Sequence, residues 1–173
     1  MTARRPPRRR RGRGLRPAFI LVKHAGLFLH LGGLGALGAI GLLAPAPASV
    51  GEWMLLKGVM RAVFWPCVFG GLVIVIAAGL ALFSRHPRHF LATRWFRAKL
   101  AILAVLIPTL HVWARGRVQA FYAAIETHRL DALPGMWRDV TIAFIVALLA
   151  MALVAALART KPRLGERVGS RAP

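Results

Sequence analysis

Four long apolar runs, separated by three polar breaks, organise this chain of 173 residues. The first, Ala18 to Ala44, reads AFILVKHAGLFLHLGGLGALGAIGLLA. It is long enough to cross a bilayer, because about 20 apolar residues rising ~1.5 Å each cover a hydrocarbon core of ~30 Å. The same reading predicts spans over residues 18–43, 53–83, 95–114 and 140–157. The expected fold is all-α, an integral membrane four-helix bundle occupying residues 17–158 as one domain.

The breaks differ in kind. APAPASVGE carries no Lys or Arg, whereas SRHPRHFLATRWFRAK gathers Arg85, Arg88, Arg94, Arg97 and Lys99 around His86 and His89. The third, RGRVQAFYAAIETHRLDALPGMWRD, is the most polar. Its middle, VQAFYAAIETHRL, predicts a short interfacial helix with Phe121 and Tyr122 at headgroup level.

Polar and small positions inside the runs predict how the helices meet. At about 100° per residue, Gly32, Gly35, Ala36 and Ala39 form one stripe of the first helix, where a neighbour is expected to approach closely. His30 lies on the opposite side, sharing its face with Lys23, Gly26, Gly33 and Gly41. Those glycines leave space beside the imidazole for a bound cofactor or a close helix. In the second run Trp53, Lys57, Arg61 and Trp65 recur at i, i+4 and read as aromatic anchors with snorkelling cations. Pro66 has no amide hydrogen, so a kink is expected there. The third run carries Lys99 one turn inside its start and His111 beyond Pro108; the fourth has no ionisable side chain.

Composition supports a membrane protein. The chain is 57% hydrophobic and 17% charged, with mean hydropathy +0.58, against roughly 45–50% apolar residues in a soluble domain. Its formal charge of +20 could suggest nucleic acid. The cations, however, sit at span ends and in tails, where they act as topology signals. Eighteen of the 25 Lys and Arg fall in residues 1–16, the second break and residues 159–173, and only Arg115, Arg117, Arg129 and Arg138 in the other two breaks. Both termini are therefore expected in the cytoplasm of a multi-pass inner-membrane protein. The basic tails over 1–16 and 159–173 should be disordered and attract anionic lipids. Besides the lipid bilayer, a second copy or a membrane partner is expected, and nucleic acid is not. A basic start, an apolar run and APAPAS have the layout of a signal peptide, but this run is about twice the ~7–15 residues of a cleavable one, so an uncleaved first span is expected.

The chemistry on offer is narrow. The five acids, Glu52, Glu126, Asp131, Asp139 and Glu166, lie at or beyond span ends. No glycine-rich phosphate loop or Cys-x-x-Cys occurs, and Cys67 is the single cysteine. His30, deep in an apolar run, suits ligation of haem b iron or of copper aided by Met54 or Met60. Without a cofactor it would make an interhelical hydrogen bond, worth ~0.6 kcal/mol. His111 is the second candidate ligand. Depth counted from the span starts leaves the two rings roughly 6–14 Å apart along the membrane normal. Lys99 or Arg61 would hold a porphyrin carboxylate. His86 and His89 flank a proline with no thiol or carboxylate nearby and read as a solvated loop.

A His early in the first span, AAGLALF closing the second and RWFRAKLAILAVLIPTLH opening the third resemble small bacterial membrane proteins of the HemJ and CopD-like grouping. In HemJ-type protoporphyrinogen oxidases, a first-helix His and the Lys of a Trp-Leu-His-x-Lys-Leu motif serve haem binding and activity. The resemblance, over residues 20–118, implies these roles for His30 and for Lys99 in Trp95-Phe96-Arg97-Ala98-Lys99-Leu100. It departs at Arg97, where the motif has His, and in the glycines of the first helix. The implied activity is oxidation of protoporphyrinogen, with Lys99 catalytic. CopD-like copper-transport domains imply a non-enzymatic protein that handles copper or assists assembly.

Overall fold

The structure is a computed structural model that describes residues 16–84 and 87–160. The tails expected to be disordered lie outside the described residues, except that Arg16, Arg159 and Thr160 end helices. His86 and the side chain of His89 lie outside them too. Among the described residues the chain is all-helical: α1 (Arg16–Leu43), α2 (Val50–Val63), a π-helical turn (Phe64–Phe69), α3 (Gly70–Ser84), α4 (Pro87–Ala92), α5 (Arg94–Glu126) and α6 (Leu133–Thr160). The second, α2 through α3, is continuous. Four helices are long and apolar enough to cross a membrane: α1, α2–α3, α5 and α6.

Local chemistry sets the helix ends. Ser49 caps α2, its Oγ accepting from the Glu52 amide at 3.3 Å, while the Glu52 carboxylate accepts from the Ala48 amide at 2.8 Å. This reciprocal pairing satisfies amides that a helix start leaves without partners. At the end of α5 the His128 amide donates to Ile125 and the Arg129 amide to Ala124. That is a Schellman closure, in which the residue after the cap takes a left-handed conformation. His128 occupies that place, with φ 53.

Two stretches depart from the hydropathy pattern. The third helix does not end near Ala114; α5 runs unbroken for 33 residues to Glu126 and absorbs the expected interfacial helix. Arg115, Arg117 and Gln119 lower the local hydropathy, yet Ala114, Val118, Phe121 and Ile125 keep the spacing of one helical face. Phe121 is consequently fully buried within the bundle. It meets Trp53 edge-on at 5.8 Å and stacks on Trp137 at 5.6 Å. Trp53, read as an anchor, is likewise a core residue, and Met60, Ile125, Leu133 and Val140 complete this cluster. Trp65 remains exposed.

The helices alternate in direction. Gly41, Gly38 and Gly35 of α1 face Thr141, Ile145 and Leu148 of α6 in descending order, and Gly26 and Gly33 face Ile74 and Val68. The near end of the bundle therefore holds the start of α1 and the end of α6, and the far end holds the aromatic core. The close approaches are made by the face of Gly26, His30, Gly33 and Gly41. A Cβ on Gly33 would stand 2.8 Å from that of Cys67, and one on Gly26 would stand 2.7 Å from Ile74 Cγ2. The expected stripe of Gly32, Gly35, Ala36 and Ala39 is not the close seam: nothing lies within 4 Å of a Cβ on Gly32, and Ala36 and Ala39 are exposed. Small residues occur on both sides of α1, and helical spacing alone does not rank two such faces.

Candidate functional site

Pro66 positions the site. It has no N–H to give to the helical ladder, and the backbone around it widens, with the Gly70 amide reaching back five residues to the Trp65 carbonyl. Single π turns of this kind recur at functional positions. Within this turn the Val68 carbonyl accepts a hydrogen bond from Nδ1 of His30, 2.7 Å away on α1. A carbonyl only accepts, so Nδ1 carries the proton and the lone pair of the neutral ring sits on Nε2. Nε2 has no protein partner among the described residues. Thr141, the other buried polar residue among the described residues, is satisfied within its own helix by the Trp137 carbonyl at 2.9 Å.

His30 lies on the floor of a cleft of about 560 Å³, inside the ~300–1,000 Å³ range of ligand pockets. The cleft occupies the seam between the second helix and α5. Those two meet near the far end through the aromatic core and the Lys57–Glu126 ion pair. At the near end Phe83 stacks on Phe96 at 5.8 Å. Between these contacts their backbones part, while α1 pairs with α3 and α6 pairs with both α1 and α5. His30, Leu34, Met60, Val68, Phe144 and Met151 form the buried floor; Arg61, Trp65, Phe69, His111, Arg115 and Gln119 form an exposed mouth.

Three sequence-predicted residues, His30, Arg61 and His111, thus share one cleft. Lys99 does not join them. It faces a separate small hollow with Trp95, Ile102, Val154 and Leu157, twelve residues or ~18 Å along α5 from His111. Met60 lines the cleft and the exposed Met54 does not. The glycine space beside His30 is filled by Cys67, Val68 and Ile74, a close helix rather than a cavity. Arg115 was hidden from sequence reading, because its fall in hydropathy assigned it to a loop.

Both histidines lie between the contacts that close the two ends of this seam, His30 through its bond to Val68. Lys57 stands over the Tyr122 ring at 5.4 Å, and Phe83 stacks on Phe96. Together with Trp53–Phe121 and Lys57–Glu126, these pairings run antiparallel and place His111 within about 7 Å of the level of Val68, the residue His30 holds.

The donor set could serve haem, with His30 and His111 in one cleft. Among the described residues no three His, Cys, Asp or Glu side chains gather as a metal site. Haem brings its own equatorial nitrogens and asks the protein for one or two axial ligands. A histidine whose second nitrogen donates to a backbone carbonyl has the tautomer and orientation of a metal ligand.

No protein-family model, curated protein or solved structure matches the chain.

Proposed function

We propose that the protein is a multi-pass inner-membrane protein that binds haem b in the cleft, with His30 as axial ligand, and that it serves one-electron redox chemistry. The observation that carries this reading is His30 itself: a buried imidazole, oriented by the Val68 carbonyl and uncommitted at Nε2, on the floor of a ligand-sized apolar cleft. His30 would hold the iron and His111 would supply a second imidazole from the opposite wall. Leu34, Val68 and Phe144 would exclude water from the macrocycle. When bound, haem would supply the electron-accepting centre.

Protoporphyrinogen oxidation, implied by the resemblance, would ask Lys99 to act at the same tetrapyrrole. Lys99 faces a different hollow, so the cleft supports haem binding without it. A copper-handling reading draws on Met60 and Met151, two soft ligands in the same cleft as both histidines. For topology, the charge distribution supports a near end in the cytoplasm.

Purification after haem-replete expression tests the reading. A Soret band is expected, abolished in His30→Ala and shifted but retained in His111→Ala as the iron loses one of two imidazoles. Protein that stays colourless on added hemin would return His30 to a packing role. Stoichiometric copper in that colourless protein would select the other reading.

A further inference from the structure

The polar groups of the cleft are unevenly placed. In the register of Lys57–Tyr122 and Phe83–Phe96, His111 lies near the level of Val68, and Arg115 near that of Phe64. Arg61 lies seven residues from Val68 and Arg115 four from His111, so the backbone positions of the two arginines are ~6–10 Å beyond those levels toward the far end. They approach from opposite walls, Arg61 from the second helix and Arg115 from α5. No carboxylate lines the cleft among the described residues. The nearby acid Glu126 is paired with Lys57 and also feels the charge of Arg61, while Arg115 makes no ion pair among the described residues. Two guanidiniums lining one apolar slot that contains no carboxylate of its own can receive an anion, since guanidinium binds carboxylate through paired donors.

We propose that Arg61 and Arg115 form a clamp for the two carboxylates of a tetrapyrrole whose flat apolar body fills the slot below. The proposal rests on the haem reading and deepens it. Bound there, the tetrapyrrole would have its carboxylates held by Arg61 and Arg115 and its apolar body covered by Leu34, Val68 and Phe144. The ligand would then bridge two helices that the protein leaves apart along most of this seam. Lys99, at the other end of α5, takes no part in holding the carboxylates.

The clamp is tested separately from the iron ligand. The full-length chain in micelles is titrated with hemin, with metal-free protoporphyrin IX and with the dimethyl ester of each, read by quenching of tryptophan fluorescence. Wild type is expected to bind the free acids about tenfold more tightly than the esters, the scale of a charge-assisted hydrogen bond lost. Arg61→Gln and Arg115→Gln should each erode this preference, their combination should abolish it, and the Lys variants should keep most of it. Equal binding of acids and esters by wild type would overturn the clamp, as would an undiminished preference in the double Gln variant. Failure to bind either tetrapyrrole would overturn both readings. If His30→Ala binds hemin as wild type does, ligation by His30 falls, while a retained acid preference still upholds the clamp.

Discussion

Gly71 and His30 meet backbone to backbone: a Cβ built on Gly71 would stand 2.6 Å from the His30 amide nitrogen and 2.8 Å from the Gly26 carbonyl oxygen. Neither atom can rotate away, as the tip of a side chain could. Gly71→Ala should therefore force α1 and α3 apart and cost about 1–3 kcal/mol, the usual range for overpacking. Gly32→Ala, with nothing within 4 Å of the new methyl, should leave the melting temperature in detergent unchanged. Equal effects from the two substitutions would mean that α1 packs through its other face.

Pro66→Ala should act on His30 from a distance. Alanine supplies the missing amide, so the helix can close to its ordinary ladder and rotate the Val68 carbonyl away from Nδ1. Loss of a partner that orients a ligating histidine typically lowers affinity about 10–100-fold, and hemin binding should fall by that order. Thermal stability should hold, since alanine is the better helix former by ~3 kcal/mol. Wild-type affinity in this variant would show that the carbonyl does not orient the ring.

The architecture was largely legible in the sequence, because four hydrophobic runs of bilayer length leave few alternatives. The far-end core was not. Trp53 and Trp137 at span ends look the same whether they face headgroups or each other's helices, and only Phe121, reached by the long α5, decides between these. The buried His30 and the irregular backbone at Pro66 could be read from local chemistry. The meeting of His111, Arg61 and Arg115 required the register between the second helix and α5, which no local pattern encodes.

His128 carries a left-handed backbone, φ 53, that favours glycine. His128→Gly should relieve part of the ~1–2 kcal/mol cost of that conformation and be partly offset by a more flexible unfolded chain. A net gain of about 0.5–1 kcal/mol is expected, seen as a raised unfolding midpoint. A loss would mean that the imidazole makes a contact worth more than the strain.

Reporter fusions test the proposed orientation. Junctions after Arg16, Arg88 and Arg163 should read cytoplasmic, and those after Ser49 and Arg129 extracytoplasmic, as the placement of basic residues requires. The last junction sits in the turn after α5, because a fusion inside that helix would interrupt it. Inverted signals would reverse the orientation and put the arginine mouth of the cleft on the cytoplasmic side.

The seam left open between the second helix and α5 also bears on how the chain is made. The first hairpin can close as soon as it is synthesised, since Gly26, Gly33 and Gly71 let α1 and α3 meet directly. The next helix leaves the ribosome without such a partner; its long backbone contact is with α6, which comes last. Until translation ends, α5 is held only where its rings and Glu126 touch the first hairpin, and Phe144 and Met151 are missing from beneath His30. A nascent chain stopped before α6 would have the histidines and arginines but only part of the floor, so the proposed cofactor would be fully enclosed only once the final helix is in place.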